Sequence, residues 1–146
     1  MRYNATKRDP IKNSFLMPNE IFRLGLSEGA IAVYAYLLYC EDRETYQCYP
    51  SYTTIADAIN KSKNSVRKYV AELVSKRLID TEHTTVILKD GRKHNGSLRY
   101  TILPIAEAVK YHDEVQMRKL KIEQAKREAE KRLAEYDRRH PKTASV

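Results

Sequence analysis

Tryptophan is absent from the 146-residue sequence, and cysteine is nearly so, with Cys40 and Cys48 alone. These two form no C-x-x-C and have no histidine nearby at zinc-ligand spacing. A disulfide scaffold and a structural zinc site are therefore set aside, and free thiols in a reducing, cytoplasmic compartment are the expectation. No apolar run reaches membrane-spanning length and no hydrophobic leader opens the sequence. Neither a membrane span nor a secretory signal fits. Glycine is scarce too, with Gly25, Gly29, Gly91 and Gly96 only, and none of them builds a phosphate-cradling loop. The four histidines, His83, His94, His112 and His140, are scattered, and none stands at a serine or carboxylate spacing that would make it a base. Asp57 is the only acid near an apolar helix face. The expectation is a protein with no catalytic residue, no metal ligand and no cofactor, hence not an enzyme.

What is present is positive charge. The sequence carries 27 Lys+Arg against 19 Asp+Glu, a net +8. A basic excess of this size points to an anionic partner, usually nucleic acid. Eleven tyrosines raise the alternative of a stacking platform for single strands. Tyr34, Tyr69 and Tyr100 fall at core-like positions, which favours packing instead.

Glycine and proline also divide the chain. All four glycines and every proline but Pro141 precede residue 105. The organisation read from this is a basic arm over 1–14, a domain over 15–104, and a long charged helix with its tail over 105–146. Phe15-Leu16-Met17 turns apolar, and Pro18 leads into a short extended piece or single turn. Ser27 is a good N-cap with Glu28 favourably placed against the helix dipole. That helix runs to about Cys40, and Ile31, Val33, Tyr34, Leu37 and Leu38 cover most of its circumference, marking it as central. Residues 41–49 read as a polar loop. Ser51 caps a second helix with Ile55, Ala56 and Ile59 facing inward. Ser62 caps a third, in which Val66, Tyr69, Val70, Leu73 and Val74 recur at helical spacing. Its outer face carries Lys63, Asn64, Arg67, Lys68 and Glu72. From Ile79 to Leu88 the sequence is rich in Thr, Val and Ile, and Leu98, Tyr100 and Ile102 alternate with polar residues. With a long loop over 89–96 between them, this reads as a β-hairpin. The fold class is mainly α with a β-hairpin.

The spacing within the second and third helices is the informative signal. Two helices crossing closely through a three- or four-residue turn need a small residue on the first. They also need a residue tolerant of positive φ in the turn and a β-branched residue packing back. Ala56, Asn60 and Val66 fill those roles. Asparagine accepts positive φ better than any residue but glycine.

The stretch Cys48-Tyr-Pro-Ser-Tyr-Thr-Thr-Ile-Ala-Asp-Ala-Ile-Asn-Lys-Ser-Lys-Asn-Ser-Val-Arg-Lys-Tyr-Val-Ala-Glu-Leu-Val-Ser-Lys-Arg-Leu-Ile79 resembles the winged helix-turn-helix domains of bacterial regulators. The resemblance is greatest to those of plasmid and mobile-element replication initiators and phage-type control proteins. Leu26-Ser-Glu-Gly-Ala-Ile-Ala-Val-Tyr-Ala-Tyr-Leu matches the first helix of that family in position and character, and the whole resemblance covers about residues 15–103. Asn60 stands where glycine is commoner and Lys61 where an apolar residue is commoner. The second departure loosens the turn packing slightly.

The resemblance implies a winged helix-turn-helix followed by a long C-terminal helix, binding double-stranded DNA. Its third helix would enter the major groove, so Ser62, Lys63, Asn64, Arg67 and Lys68 would reach DNA. Arg67 has the fork to read guanine, and Asn64 the amide to read adenine. Ser62 with the free N–H groups behind it suits a phosphate. Lys89, Arg92 and Lys93, with His94, would form the wing along the phosphates or in the minor groove. Lys7, Arg8 and Lys12 would extend as an arm. The role implied is control of a bacterial mobile element, by transcription regulation or as a replication-initiator-like protein. The competing classes are a protein–protein adaptor that binds through the long helix, and a single-strand binder.

From Ile105 to Arg139 there is no glycine or proline. Ala108, Val115, Ile122, Ala129 and Tyr136 recur every seventh residue, the spacing of a homodimer seam. Arg118 and Arg132 occupy companion positions that a seam would fill with apolar residues. Glu114–Arg118, Glu123–Arg127, Glu128–Arg132 and Glu135–Arg139 are spaced for ion pairs along a solvated helix. Both readings of this helix stand.

Overall fold

Three serines start the three helices of the domain, each by the same local device. In the computed structural model, which describes residues 12–141, Ser27 Oγ accepts from Ala30 N–H at 3.3 Å, Ser51 Oγ from Thr54 N–H at 3.1 Å and Ser62 Oγ from Ser65 N–H at 3.2 Å. Each satisfies a donor that has no partner inside its own helix. The helices that follow are α1 (Glu28–Cys40), α2 (Tyr52–Ile59) and α3 (Lys63–Ser75). A single 3₁₀ turn, Asn19–Arg23, precedes them and buries Ile21. Lys7 and Arg8 of the expected arm lie outside the described residues.

The core joins these elements through Leu24, Val33, Leu37, Ile55, Val66, Leu73, Leu78 and Tyr100, all buried. Burying a side chain of this size stabilises by about 1.5–3 kcal/mol, so these positions dominate the packing. On α1, Val33, Tyr34 and Leu37 are fully enclosed while Ile31 and Leu38 are half-buried. Val74 sits at the edge of the apolar stripe of α3 and is 37% exposed, rather than within it. Gly29 has a specific job: a Cβ there would lie 2.0–2.3 Å from ring carbons of Tyr69, so α3 crosses α1 with that ring pressed on bare backbone.

The sheet has three antiparallel strands in the order β1 (Gln47–Cys48), β3 (Lys93–Ile102), β2 (Ile79–Ile87). The loop expected over 41–49 therefore contains a strand. Gln47 and Cys48 pair with Thr101 and Tyr100, and the Cys48 side chain is buried. Two residues are too few for any alternation to show. The hairpin loop is also shorter than expected, because β3 already begins at Lys93. Two residues, Gly96 and Ser97, oppose the single Thr84 between the His83↔Leu98 and Thr85↔Asn95 pairs, which is a β-bulge. Glycine suits the spot, since a Cβ on Gly96 would come within 2.5 Å of Thr84 Oγ1. The bulge absorbs the irregularity and lets the ladder continue outward to Ile87↔Lys93.

The last helix, α4, spans Ile105–Arg139, about 50 Å at ~1.5 Å per residue. The chain forms two compact units, one ending at Val109 and one beginning at Lys110. The first turn of α4 thus belongs to the domain, where Ala108 is buried and Ile105 and Val109 pack against the core. Within the second unit, Ile122 and Tyr136 are exposed. Of the four expected ion pairs, only Glu123–Arg127 closes, at 3.4 Å. Ordering two long exposed side chains offsets most of what such a pair gains. Helices, hairpin and long terminal helix together make a winged helix-turn-helix with a C-terminal extension. No helix among the described residues is long and apolar enough to cross a membrane.

Candidate nucleic-acid interface

The turn between α2 and α3 fixes how α3 is presented. Asn60 takes the left-handed conformation, φ 56° and ψ 50°, and Lys61 N–H donates to Ala56 carbonyl at 3.0 Å. This closes α2 and lets the chain reverse within two residues before Ser62 caps α3. Ala56 and Val66 are both buried at the crossing, as the spacing predicts.

Successive residues of a helix are rotated by about 100°, which places Lys63, Asn64, Arg67, Lys68, Ala71 and Ser75 on one face. All of these are exposed, and Val66, Val70 and Leu73 opposite them are buried. Among the described residues Lys63, Asn64 and Lys68 make no hydrogen bond or ion pair, so their polar ends are open to a ligand. Ser62 is exposed at the head of the same face.

Arg67 is placed differently from its neighbours. Its guanidinium carbon lies 5.8 Å from the centroid of the Tyr52 ring, at the first residue of α2. A cation over an aromatic face is held by the ring quadrupole, by about 0.5–1 kcal/mol at an exposed site. The guanidinium is thereby oriented before any partner arrives. Nothing in the linear spacing of residues 52 and 67 reveals this contact.

Two charged residues of this region, Glu72 on α3 and Lys76 just after it, serve the fold instead. Glu72 does not lie on the outer face: its Oε2 accepts from the Ser27 amide and the Ser27 hydroxyl, both at 3.0 Å. It therefore ties α3 to the start of α1. Lys76 Nζ donates to the Leu24 and Gly25 carbonyls, each at 2.9 Å. With Glu72 turned off the outer face, Lys63, Arg67 and Lys68 stand there with no acid among them, so the face is more uniformly positive than the sequence suggests.

The wing tip is built from residues 88–92. Leu88 N–H donates to Arg92 carbonyl and Gly91 N–H to Leu88 carbonyl, both at 2.9 Å, with Gly91 at φ +82°. Lys89, Arg92 and Lys93 are all exposed. Arg92 pairs with Asp90 at 3.3 Å, which offsets part of its charge at the tip, whereas Lys89 and Lys93 have no such neighbour among the described residues. The base of the wing is stapled by Arg99 and Glu82, directly opposite one another in register. The arrangement offers a convex basic helix with guanidinium and amide ends, and a separate basic hairpin tip.

The tyrosines divide. Tyr34 and Tyr100 are buried and Tyr69 is half-buried, while Tyr39, Tyr46 and Tyr49 are exposed. Burial lifts the Tyr34 phenol to about 12. Cys48 is likewise pushed up to about 12, chiefly by burial, and its thiol rests on the Leu37 carbonyl at 3.7 Å. No group of acids, histidines and cysteines able to hold a metal occurs among the described residues.

No curated protein matches the chain. Among solved structures, a "possible transcriptional regulator" from Methanosarcina mazei is 15% identical, with 80% of this chain and 97% of that chain covered and a TM-score of 0.48. The YusO protein of Bacillus subtilis is 15% identical, with 82% and 79% covered and a TM-score of 0.39. MepR of S. aureus, in a complex with DNA, is 13% identical, with 80% and 86% covered and a TM-score of 0.40. A match to the helix-turn-helix domain family extends over residues 24–79, the segment that carries α1, α2 and α3 and ends on the first residue of β2.

Proposed function

We propose that this chain binds double-stranded DNA through α3 and the hairpin tip and acts as a DNA-binding regulator. The observation that carries the reading is the face of α3: Lys63, Asn64, Arg67 and Lys68 exposed together, with Glu72 turned away to Ser27. Arg67, oriented on Tyr52, has the fork that pairs with a guanine edge, and Asn64 the amide that pairs with adenine. Lys89, Lys93 and the partly neutralised Arg92 hold phosphates on the flank. The match of residues 24–79 to the helix-turn-helix domain family supports the same reading. The finer role, control of a bacterial mobile element by transcription regulation or replication initiation, rests on the resemblance of residues 48–79. The reading gives the chain binding and no reaction of its own.

Pairing of two copies through α4 completes the proposal. Val115, Ile122, Ala129 and Tyr136 share one stripe of that helix, with Ala125 at a companion position between Arg118 and Arg132. A two-fold reader must hold two recognition helices about 34 Å apart, and this stripe is the candidate seam that would fix the spacing. The test is competition between a duplex and each of its single strands for the full-length chain. The duplex is expected to win, and its affinity to fall when Lys63 and Lys68 are both replaced by glutamine. Preference for the single strand, or indifference to that double substitution, overturns the reading.

A further inference from the structure

Past the bulge at Gly96 the hairpin carries apolar residues that the fold does not use. Val86, Ile87 and Leu88 are 50%, 70% and 41% exposed, and none of them belongs to the core or packs against it. They are the only three consecutive large apolar residues left exposed among the described residues. They also lie on or just beyond β2, an edge strand of the sheet. Single exposed apolar side chains are ordinary on a surface, whereas a run of them on an edge invites association and is kept where it has a use.

The bulge decides what stands beside them. Continued regularly from His83↔Leu98, the ladder would put position 94 opposite Ile87; the extra residue brings Lys93 there instead. Side chains directly opposite on antiparallel strands share a face, with Cβ atoms about 4.5–5.5 Å apart. The most exposed apolar side chain of the hairpin and an exposed lysine are thus presented together. Just beyond them the turn is closed by Leu88 N–H on the Arg92 carbonyl and Gly91 N–H on the Leu88 carbonyl, so the pair sits behind a hydrogen-bonded tip that adds Lys89 and Arg92.

An apolar group flanked by cations matches the minor groove of DNA, which has phosphates along its rims and stacked bases at its floor. Side chains such as isoleucine and leucine enter between base steps there and kink the duplex by about 20–90°. We propose that Ile87 is such a wedge, inserted at a base step of the minor groove while Lys93 and Lys89 hold phosphates beside it, so that the hairpin bends the duplex it binds. The proposal rests on the duplex-binding reading above and adds a source of specificity to it. Steps that unstack readily, TA and CA/TG, are favoured under the wing without any hydrogen bond to a base. An anionic membrane offers the same two chemistries. Three apolar residues are few beside the apolar face of an interfacial helix, however, and the Asn64 amide among the exposed cations of α3 suits base edges rather than lipid headgroups.

The experiment takes the full-length chain and a duplex that it selects from a randomised pool. Bending is read from circularly permuted duplexes, and unstacking from the fluorescence of 2-aminopurine moved along the site step by step. The bound duplex is expected to bend by about 20–90° and to brighten at one step. Ile87→Thr keeps the β-branch and the strand preference while removing the apolar end. It should lower the bend by about half or more, abolish the brightening and weaken the selected duplex by about 3- to 10-fold. The salt slope should not change, because no cation is lost. Lys93→Gln should do the converse, giving a shallower slope with the brightening retained. A bound duplex that stays straight, or a bend that Ile87→Thr leaves alone, overturns the wedge and leaves the duplex-binding reading standing. A chain that binds no duplex overturns both. Ile87-dependent binding to phosphatidylglycerol vesicles, or Ile87-dependent self-association in the ultracentrifuge without DNA, identifies a different occupant and refutes the proposal.

Discussion

Replacing Arg67 separates reading from holding, because the structure gives this side chain two distinct interactions. In the free protein its guanidinium rests over Tyr52 at 5.8 Å. Losing that contact at an exposed position lowers stability by no more than about 0.5–1 kcal/mol. On DNA a bidentate pair with guanine discriminates against other bases by about 1–3 kcal/mol, which corresponds to roughly 5- to 150-fold in affinity. Arg67→Ala is therefore expected to weaken the preferred duplex by that factor and random duplex far less, with little change in melting temperature. Arg67→Lys keeps the charge and loses the fork, so it should behave like Arg67→Ala on the preferred site. Tyr52→Leu removes the ring and leaves Arg67 intact, and a smaller loss on the preferred site alone measures what orientation contributes. The assay is selection from a randomised duplex pool, then anisotropy titration of the selected and a scrambled duplex for each variant. Equal weakening of both duplexes by Arg67→Ala would refute the assignment of Arg67 as a base reader and leave it as a phosphate contact.

Glu72→Ala should destabilise the domain by about 1–2 kcal/mol, since the Ser27 amide and hydroxyl lose their shared acceptor, and should leave duplex affinity intact; denaturant unfolding beside titration checks both. Asn60→Val should destabilise by about 1–2 kcal/mol, because a β-branched residue is strained in the left-handed turn, whereas Asn60→Gly should be tolerated; thermal melts distinguish them. Gly29→Ala should destabilise by about 1–3 kcal/mol through collision with Tyr69, and a further Tyr69→Leu change should recover part of that loss. Truncation after Val109 should leave a cooperatively folded domain by circular dichroism, and should weaken binding to a palindromic site more than to a half-site. Cys48 should resist thiol reagents at pH 8 in the folded state, its thiol held near 12, and react once the chain is unfolded.

Where the sequence is informative, it is so because the device is local. A serine three residues before an amide donor marks each of α1, α2 and α3, and Asn60 marks the turn, with no tertiary information needed. The exposed positions of α3 follow from helical periodicity in the same way. Glu72 and Lys76 escape this reading because their partners, Ser27, Leu24 and Gly25, are about fifty residues away along the chain. A charged residue one step off the apolar stripe looks solvated until the neighbouring element is placed. The same holds for Arg67 on Tyr52, and for β1, whose two residues are a strand only because β3 lies beside them. The early start of β3 depends on a bulge at Gly96 that resembles a loop glycine in sequence.

The most direct test of duplex binding by the basic face of α3 and the wing is its salt dependence. Lys63, Arg67 and Lys68 on α3, Lys61 in the turn before it, and Lys89 and Lys93 on the wing are exposed cations, beside Arg92, which is paired with Asp90. If five to six of them neutralise phosphates, log affinity for a random duplex against log salt should have a slope of about −4.5 to −5.5. Lys63→Gln and Lys68→Gln should each make the slope shallower by about 0.9, and Lys76→Gln, whose ammonium is bound to the Leu24 and Gly25 carbonyls, should not change it. A flat salt dependence in the full-length chain, or a slope that responds to Lys76 and not to Lys63 and Lys68, would contradict the account.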